Sequence, residues 1–389
     1  MIREETVTKI EINLDSLVHN YRQVREHVAP AEVVAVVKSE AYGHGAVPVA
    51  RALQDEGCRR FAVALVDEGI QLRRGGIRGD ILIMGATLAN QFRTMAGFRL
   101  TPVLADLERV RAWAQLAGER RERLPYHIKV DVGLGRMGLM PERGEEAARI
   151  ARRLDRQIEL IGIGSHLSYP SGPEELNWSE YRRFTSFCAP FDSFAGLRRH
   201  LAASQAAARF RQMHLELVRI GGLLYGINHI TPSPLDLRPV MSFSTRVAQV
   251  KTLPPGWHIG YNGQHPVTEP TRVALLPLGW TDGLTSHHIG STGLLLRGRS
   301  CPLVGTCTDF SMLDVSGVPD TEVGDEVVLI GSQGDLTLTA IDLGRGAGIS
   351  TGQLLGKISL RVPRLYVSEG RNRGELSILD RDWCSQGQE

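Results

Sequence analysis

The chain has 389 residues, 42% hydrophobic and 23% charged, and its 45 basic against 43 acidic side chains leave a formal charge of +2. This is the composition of a globular protein of about two or three domains with room for a large core. No window reaches the roughly 18 consecutive apolar residues of a membrane span, and acidic residues lie close to basic ones along most of the chain, so neither a membrane nor a nucleic acid is an expected partner. The five cysteines, Cys58, Cys188, Cys301, Cys307 and Cys384, are scattered and lack the paired spacing of a zinc or redox motif. No metal is expected, and the thiols suit a reducing compartment. The start, Met1-Ile2-Arg3-Glu4-Glu5, is charged and no apolar stretch of signal-peptide length follows it, so the expected location is cytoplasmic.

In chain order, an amphipathic stretch, Leu14 to His27, comes first, and a rhythm of short apolar runs and helical segments follows. The runs are Val33 to Val37, Phe61 to Ala64, Ile81 to Met84, Thr101 to Ala105, His127 to Val132, Leu160 to Gly164, His200 to Ala203 and Leu217 to Gly221. Between them Ala46 to Gln54, Asp67 to Arg74, Asp106 to Leu116 and Glu142 to Leu154 are periodic and rich in good helix formers. Such alternation implies parallel strands joined by helical crossovers, and eight repeats suffice for a (β/α)8 barrel, with an open doubly wound sheet as the alternative. Beyond about Pro232 the runs Met241 to Thr252, Arg272 to Pro277, Gly293 to Val304 and Glu322 to Ile330 are β-branched or alternating, and long helical periods disappear. The fold class is therefore α/β, a barrel over residues 9–235 followed by a mostly β domain over 236–380, with residues 1–8 pairing with the latter. Glu369 to Glu389 is polar and reads as an exposed extension.

Chemistry in such a barrel gathers at the carboxyl ends of the strands. The first strand runs into Lys38 and a turn of small residues, Ser39-Glu40-Ala41-Tyr42-Gly43-His44-Gly45. A lysine there can lose its proton where burial disfavours the ammonium, and the free amine attacks a carbonyl; alone, it reads equally as a snorkelling surface lysine. The fifth strand runs into Lys129-Val130-Asp131-Val132-Gly133-Leu134-Gly135-Arg136, the sixth ends at Ser165-His166, the seventh at Ala203-Ser204 and the eighth at Arg219-Ile220-Gly221-Gly222. Glycines and a hydroxyl after the last two strands suit a phosphate. A Schiff-base lysine and a phosphate cradle together suggest pyridoxal 5'-phosphate.

The segment Val36-Val37-Lys38 through Ala41-Tyr42-Gly43-His44-Gly45 resembles the cofactor motif of the alanine racemases, the fold type III pyridoxal-phosphate enzymes. The likeness continues in order through Gly135-Arg136-Met137-Gly138, Val218-Arg219-Ile220-Gly221, Leu224-Tyr225-Gly226, Gly279-Trp280-Thr281-Asp282-Gly283, Met312-Leu313-Asp314 and Arg361-Val362-Pro363-Arg364. The resemblance implies an amino-terminal barrel, a β domain and a head-to-tail homodimer whose sites each take residues from both subunits. It implies that Lys38 carries the cofactor and is the base on one face of an amino-acid substrate, and that Tyr261, from the partner subunit, is the base on the other. It implies that Arg219 faces the pyridine nitrogen, that His166 links this arginine to the tyrosine, and that Arg136 bonds the cofactor's phenolic oxygen and helps receive the substrate carboxylate. Lys129 matches a lysine carbamylated in many members. Tyr42, Ser204, Gly221, Gly222 and Tyr225 match cofactor contacts, mostly at the phosphate, and Asp309 joins the catalytic set.

Four positions depart from that pattern. Gly352 stands where the family has a tyrosine that narrows the pocket, Trp280 replaces an entrance tyrosine, Ala203 an asparagine near the cofactor and Thr308 a methionine at the carboxylate. The pair Ser39-Glu40 is also unusual and is expected to place a carboxylate near the cofactor. The expected function is amino-acid racemisation, either of alanine or another small amino acid or, with Thr308, Trp280 and Gly352 lining an enlarged side-chain pocket, of a larger one. The alternatives are altered chemistry on the same scaffold, such as decarboxylation or elimination by a lyase, and a non-catalytic carrier of the cofactor.

Overall fold

The computed structural model describes residues 6–263 and 265–377. The chain divides into two compact units. One comprises Leu17–Ala41 and Ala46–Arg238; the other gathers the described residues before Leu17, Tyr42–Gly45 and everything described from Pro239 onward.

Strand β1 (Lys9–Asn13) leads into helix α1 (Leu14–Val28). Strands β2 (Glu32–Val36), β3 (Arg60–Val63), β4 (Asp80–Ile83), β5 (Thr101–Leu104), β6 (Leu124–Lys129), β7 (Ile158–Gly164), β8 (Arg198–His200) and β9 (Leu217–Ile220) follow, paired in the order β8-β7-β6-β5-β4-β3-β2-β9, every pair parallel. A parallel bridge between Ala203 and Arg219, with the Arg219 N–H donating to Ala202 O at 3.0 Å, draws β8 to β9 and nearly closes the ring. Helices α2 (Lys38–Gly43), α3 (Ala46–Asp55), α4 (Val66–Arg74), α5 (Phe92–Gly97), α6 (Leu107–Arg120), α7 (Gly144–Leu154), α8 (Glu174–Cys188) and α9 (Ser204–Arg209) lie between and after these strands. Strands covered on both faces read as continuous apolar runs, and Val33–Val36, Ile81–Ile83 and Thr101–Leu104 are buried throughout.

Two expected strands are displaced. β6 begins at Leu124 rather than His127, because Pro125 interrupts the apolar signal while Leu124 to Lys129 pair with β7; beyond Lys129 the chain turns back, and Leu139 N–H donates to Lys129 O at 2.8 Å. β8 begins at Arg198, masked in the sequence by two arginines whose guanidiniums pair with Glu32 and Glu216.

The second unit is built from β1 and β10 (Met241–Arg246), β11 (Gln249–Leu253), β12 (His258–Ile259), β13 (His265–Pro266), β14 (Thr271–Leu276), β15 (Gly293–Leu296), β16 (Arg299–Thr306), β17 (Ser311–Asp314), β18 (Glu326–Gln333), β19 (Leu336–Leu338), β20 (Arg364–Ser368) and β21 (Arg371–Leu376). Its main sheet runs β11-β14-β17-β16-β15-β18-β10-β1-β20-β21. The barrel unit therefore does not begin at residue 9. Lys9–Asn13 pairs antiparallel with β10 and parallel with β20, burying Ile10 and Ile12 completely in the β unit. Of the first eight residues, Thr8 meets this unit through its hydroxyl, 2.7 Å from that of Thr245, and residues 1–5 lie outside the described residues.

Two further corrections fall near the carboxyl terminus. Helices α10 (Ala340–Gly346) and α11 (Thr351–Lys357) interrupt the expected run of strands, each opened by its own capping box, Thr339 with Asp342 and Ser350 with Gln353. The polar stretch after Glu369 is no free extension up to Leu376, since β21 pairs with β20 across a two-residue turn in which Glu369 and Gly370 both have positive φ, as a hairpin of that length requires. Cys384 lies outside the described residues, and the other four cysteines are free.

Candidate active site

Lys38 follows β2 and is half-buried. The next four residues, Ser39, Glu40, Ala41 and Tyr42, have φ of 53, 53, 52 and 55°, so α2 is a left-handed turn, which costs L-residues about 1–2 kcal/mol each. Glu40 does not turn toward the lysine's chemistry. Its Oε2 accepts the Ala46 N–H at 3.0 Å, and its Oε1 accepts from Gln71 Nε2 at 2.7 Å. The sequence expectation of a cofactor-side carboxylate is thereby replaced by a helix cap.

On β9, the strand paired in parallel with β2, Arg219 is buried. Its Nη1 meets His200 Nδ1 at 2.7 Å and His200 O at 2.9 Å, and its Nη2 meets Ser165 O at 2.5 Å, Leu201 O at 3.1 Å and His166 Nδ1 at 3.2 Å. All are neutral acceptors. Burial, and then the charge of Arg136, lower its pKa to about 10, which leaves it cationic at neutral pH. Because a guanidinium only donates, each imidazole facing it must accept through Nδ1 and carry its proton on Nε2. For His200 that proton is donated onward to His127 Nδ1, 2.9 Å away. The two rings fit because β7 carries glycines beside them; a Cβ on Gly162 or Gly164 would fall 2.2 Å from His127 Nδ1 or 2.0 Å from His200 Cε1. Burial and then the neighbouring cations push His127 down to about 3, hold His200 well below its ordinary value, and push His166 down to about 2. The cations acting on His166 are Arg219, Lys129, Arg136 and Lys38, which places the four in one electrostatic group.

Lys129, at the end of β6, is held well below the usual lysine value by burial and then by the charges of Arg219 and Arg136. Arg136 is exposed on the following loop, whose shape is set by Asp131: the carboxylate accepts backbone N–H groups from Gly133 at 3.0 Å, Gly135 at 3.1 Å and Arg136 at 2.7 Å. Burial raises the Asp131 pKa, but these amides outweigh it and hold the carboxyl below its ordinary value.

After β8 and β9, Ser204 Oγ accepts the Gly221 N–H at 3.0 Å, joining the two turns, and Gly222 opens a short 3-10 segment. The Tyr225 hydroxyl donates to Val36 O at 2.9 Å, so its proton is spent on the strand leading to Lys38 rather than on an anion.

The remaining predicted residues lie in the β unit. Tyr261 is 59% and Trp280 42% exposed, and their rings stack with centroids 6.2 Å apart at 28°. Arg361 pairs with both oxygens of Asp282, at 2.6 and 2.7 Å, and with Asp309 at 2.7 Å, which raises the arginine's pKa. Thr308 is exposed and its carbonyl accepts from Thr281 Oγ1 at 2.9 Å. Gly352 lies in the first turn of α11, where a Cβ would meet only the Tyr42 ring, at 4.0 Å. Burial raises the Tyr42 phenol above its ordinary value and keeps it a donor.

A sequence reading could not find His127 or His200, which sit inside strands. The alternation of Gly162 and Gly164 on the neighbouring strand is the signal that large groups face them.

An amine at one strand end, a buried guanidinium bonded only to neutral groups, a second guanidinium and a hydroxyl-and-glycine turn fit a multiply anionic aldehyde, and they define a barrel-type pyridoxal-phosphate enzyme. The chain belongs to the alanine racemase family: the model of that family's N-terminal domain matches residues 12–229 and that of its C-terminal domain residues 240–366. It is 34% identical over 366 residues to the alanine racemase of Carboxydothermus hydrogenoformans, covering 92% of this chain and 98% of that one. Its fold superposes on alanine racemase from Clostridium difficile 630 with a TM-score of 0.88 at 29% identity, over 95% of this chain and 98% of the other. The corresponding values for the alanine racemase from Bacillus anthracis, solved with bound L-Ala-P, are 0.87 and 27%, over 97% and 99%. The protein is accordingly a racemase with pyridoxal phosphate as its cofactor. No helix among the described residues is long and apolar enough to cross a membrane.

Proposed function

We propose that this racemase works with two bases on opposite faces of its amino-acid substrate, Lys38 and the partner subunit's Tyr261, and that it accepts side chains larger than methyl. The observation that carries the reading is the buried Arg219, whose charge meets only neutral partners in the same group as Lys38, Lys129 and Arg136. An uncompensated buried cation is costly, and an anionic ligand is the natural compensation.

Lys38, Ser204, Gly221 and Gly222 would hold the cofactor, with Tyr42 added by the resemblance. When bound, pyridoxal phosphate supplies the aldehyde and the electron sink that make the substrate's α-proton removable. Arg219 keeps its own proton and offers none to the ring nitrogen, which tempers the electron demand and suppresses side reactions. Lys38 takes or returns the α-proton on one face. Tyr261 does so on the other, and His166, fixed with its N–H at Nε2, offers it a hydrogen-bond donor. Each positioned proton-transfer group contributes about 10²–10⁴-fold, roughly 3–5 kcal/mol of barrier. Arg136 receives the carboxylate, and Arg361 steadies Asp309 within the β unit.

Tyr261 and Trp280 form an exposed stacked aromatic pair, and its burial in a head-to-tail homodimer is part of this reading. The scattered free thiols support a cytoplasmic location. The open space at Gly352 supports the enlarged pocket. Steady-state kinetics across a side-chain series test the specificity: kcat/KM for at least one larger amino acid should rival that for alanine, whereas a wide margin for alanine over all others would refute the enlarged pocket. Turnover to a decarboxylated or eliminated product, or none at all, would instead favour altered chemistry or a carrier.

A further inference from the structure

The left-handed turn after Lys38 is built from four residues that have side chains, so it persists only where the surroundings over-determine it. One internal bond, Ala41 N–H to Val37 O at 2.9 Å, belongs to the turn itself. Beyond the His44 Nδ1 contact with Tyr42 O at 3.0 Å and the Arg364 Nε–H donated to Gly43 O at 3.1 Å, two carboxylates hold its first half. Glu68, in the first turn of α4, accepts the Ser39 N–H through Oε1 at 2.5 Å, while its Oε2 accepts the N–H groups of Ala64 at 2.8 Å and Leu65 at 2.9 Å at the end of β3. Glu40, inside the turn, joins the start of α3 through the Ala46 N–H at 3.0 Å and α4 through Gln71 at 2.7 Å. Glu68 and Gln71 stand three apart and so share one face of α4. That helix is itself seated closely, because Gly69 lets it approach Ile83 and Leu100 to within 2.9 Å of where a Cβ would lie. Neither carboxylate forms an ion pair among the described residues; both spend their charge on backbone amides or on Gln71.

We propose that Glu68 and Glu40 are positioning residues for Lys38, a clamp from α4 and α3 that holds the left-handed turn and so fixes the direction in which the lysine leaves β2. The proposal rests on Lys38 being the catalytic amine. Released from Glu68, Ser39 relaxes toward right-handed backbone, the peptide after Lys38 rotates, and the amine is no longer held at its face of the substrate. A misplacement of this kind lowers the rate of the lysine's proton transfer more than it weakens substrate binding.

The test uses the full-length enzyme loaded with its cofactor, as wild type and as Glu68→Ala, Glu68→Gln, Glu40→Ala and Glu40→Gln. Amide hydrogen exchange over residues 38–46 should accelerate at least tenfold in Glu68→Ala and Glu40→Ala, while peptides from β4 and β5 stay unchanged. Glu40→Gln, which keeps an oxygen for the Ala46 N–H, should return close to wild type. Deuteration at the substrate α-carbon should then slow turnover more than in the wild type only for the enantiomer whose proton Lys38 removes. Should Glu68→Ala not fold, Glu68→Gln carries the comparison: its single amide oxygen cannot serve both the Ser39 N–H and the Ala64 and Leu65 N–H groups, so exchange over residues 38–46 should again accelerate. Unchanged exchange would overturn the clamp, and faster exchange with equal isotope effects in both directions would overturn its role in positioning. Lys38→Arg separates the underlying reading: if that variant still racemises, Lys38 is not the base, whatever the turn does.

Discussion

Gly352 offers the sharpest handle on what this racemase accepts. Its φ is helical and its missing Cβ would stand 4.0 Å from the Tyr42 Cδ1 and Cε1 atoms, an ordinary contact, so Gly352→Ala introduces no clash. Glycine costs a helix interior about 0.8–1 kcal/mol relative to alanine, and in the first turn roughly half of that applies. The variant should gain about 0.5 kcal/mol, which for a unit of this size is a rise of about 1–2 °C in Tm. Gly352→Tyr should go further, since a phenol ring placed beside Tyr42 takes up the space left open there. Excluding one methylene from an apolar pocket is worth about 1–3 kcal/mol, so the ratio of kcat/KM for alanine to that for a larger amino acid should rise by about 10–200-fold for each methylene excluded. Circular-dichroism melts and coupled racemase assays measure the two effects on the same samples. If Gly352→Tyr folds stably and the ratio moves by less than about twofold, position 352 does not border the side-chain pocket and the reasoning fails.

Two further outcomes follow from the buried bases. His127 ionises at about 3 in the folded protein against an ordinary value of 6.5, first because of burial, so below pH 6.5 the unfolded chain takes up a proton that the folded chain refuses. Its contribution is complete well above pH 6.5 and is lost as the pH falls toward about 3, at about 1.4 kcal/mol per pH unit between those values; denaturant titrations at pH 5.5 and 4.5 should show a slope that His127→Gln reduces by about that amount. The amine of Lys129, its pKa lowered by burial and by Arg219 and Arg136, should in its deprotonated form add carbon dioxide, its nitrogen bonding to carbon as a proton leaves, to give an anionic carbamate that both guanidiniums stabilise. Carbon-13 NMR of protein equilibrated with labelled bicarbonate should show a carbamyl signal that Lys129→Ala lacks.

The barrel was legible because strands covered on both faces must be apolar, and Val33–Val36 or Ile81–Ile83 can be little else. β8 was blurred because its arginines spend their charge on Glu32 and Glu216, contacts that only the closed fold creates. The strand at Lys9–Asn13 looked like a prelude to the barrel, since nothing local reveals that its partners come more than 200 residues later. In the site, Lys38, Arg136, His166, Ser204 and Arg219 were legible as polar residues at strand ends. His127 and His200 were not, because inside a strand a histidine gives no sign of whether it faces a helix or the barrel's interior. Glu40 was misread for a related reason: its closeness to Lys38 in sequence says nothing of direction once the backbone turns left-handed, and there the carboxylate is taken up by Ala46 and Gln71.

The central claim, two bases on opposite faces of one amino acid, is tested most directly by incubating the cofactor-loaded enzyme with a panel of L-amino acids in D2O and following α-deuterium and chirality together, for the wild type and for Tyr261→Phe. Deuterium should appear in both enantiomers with the wild type, and the variant should lose inversion by about 10²–10⁴-fold while exchange on the Lys38 face survives. Undiminished inversion in Tyr261→Phe, or a wild type that exchanges the α-proton without ever inverting, would contradict the account.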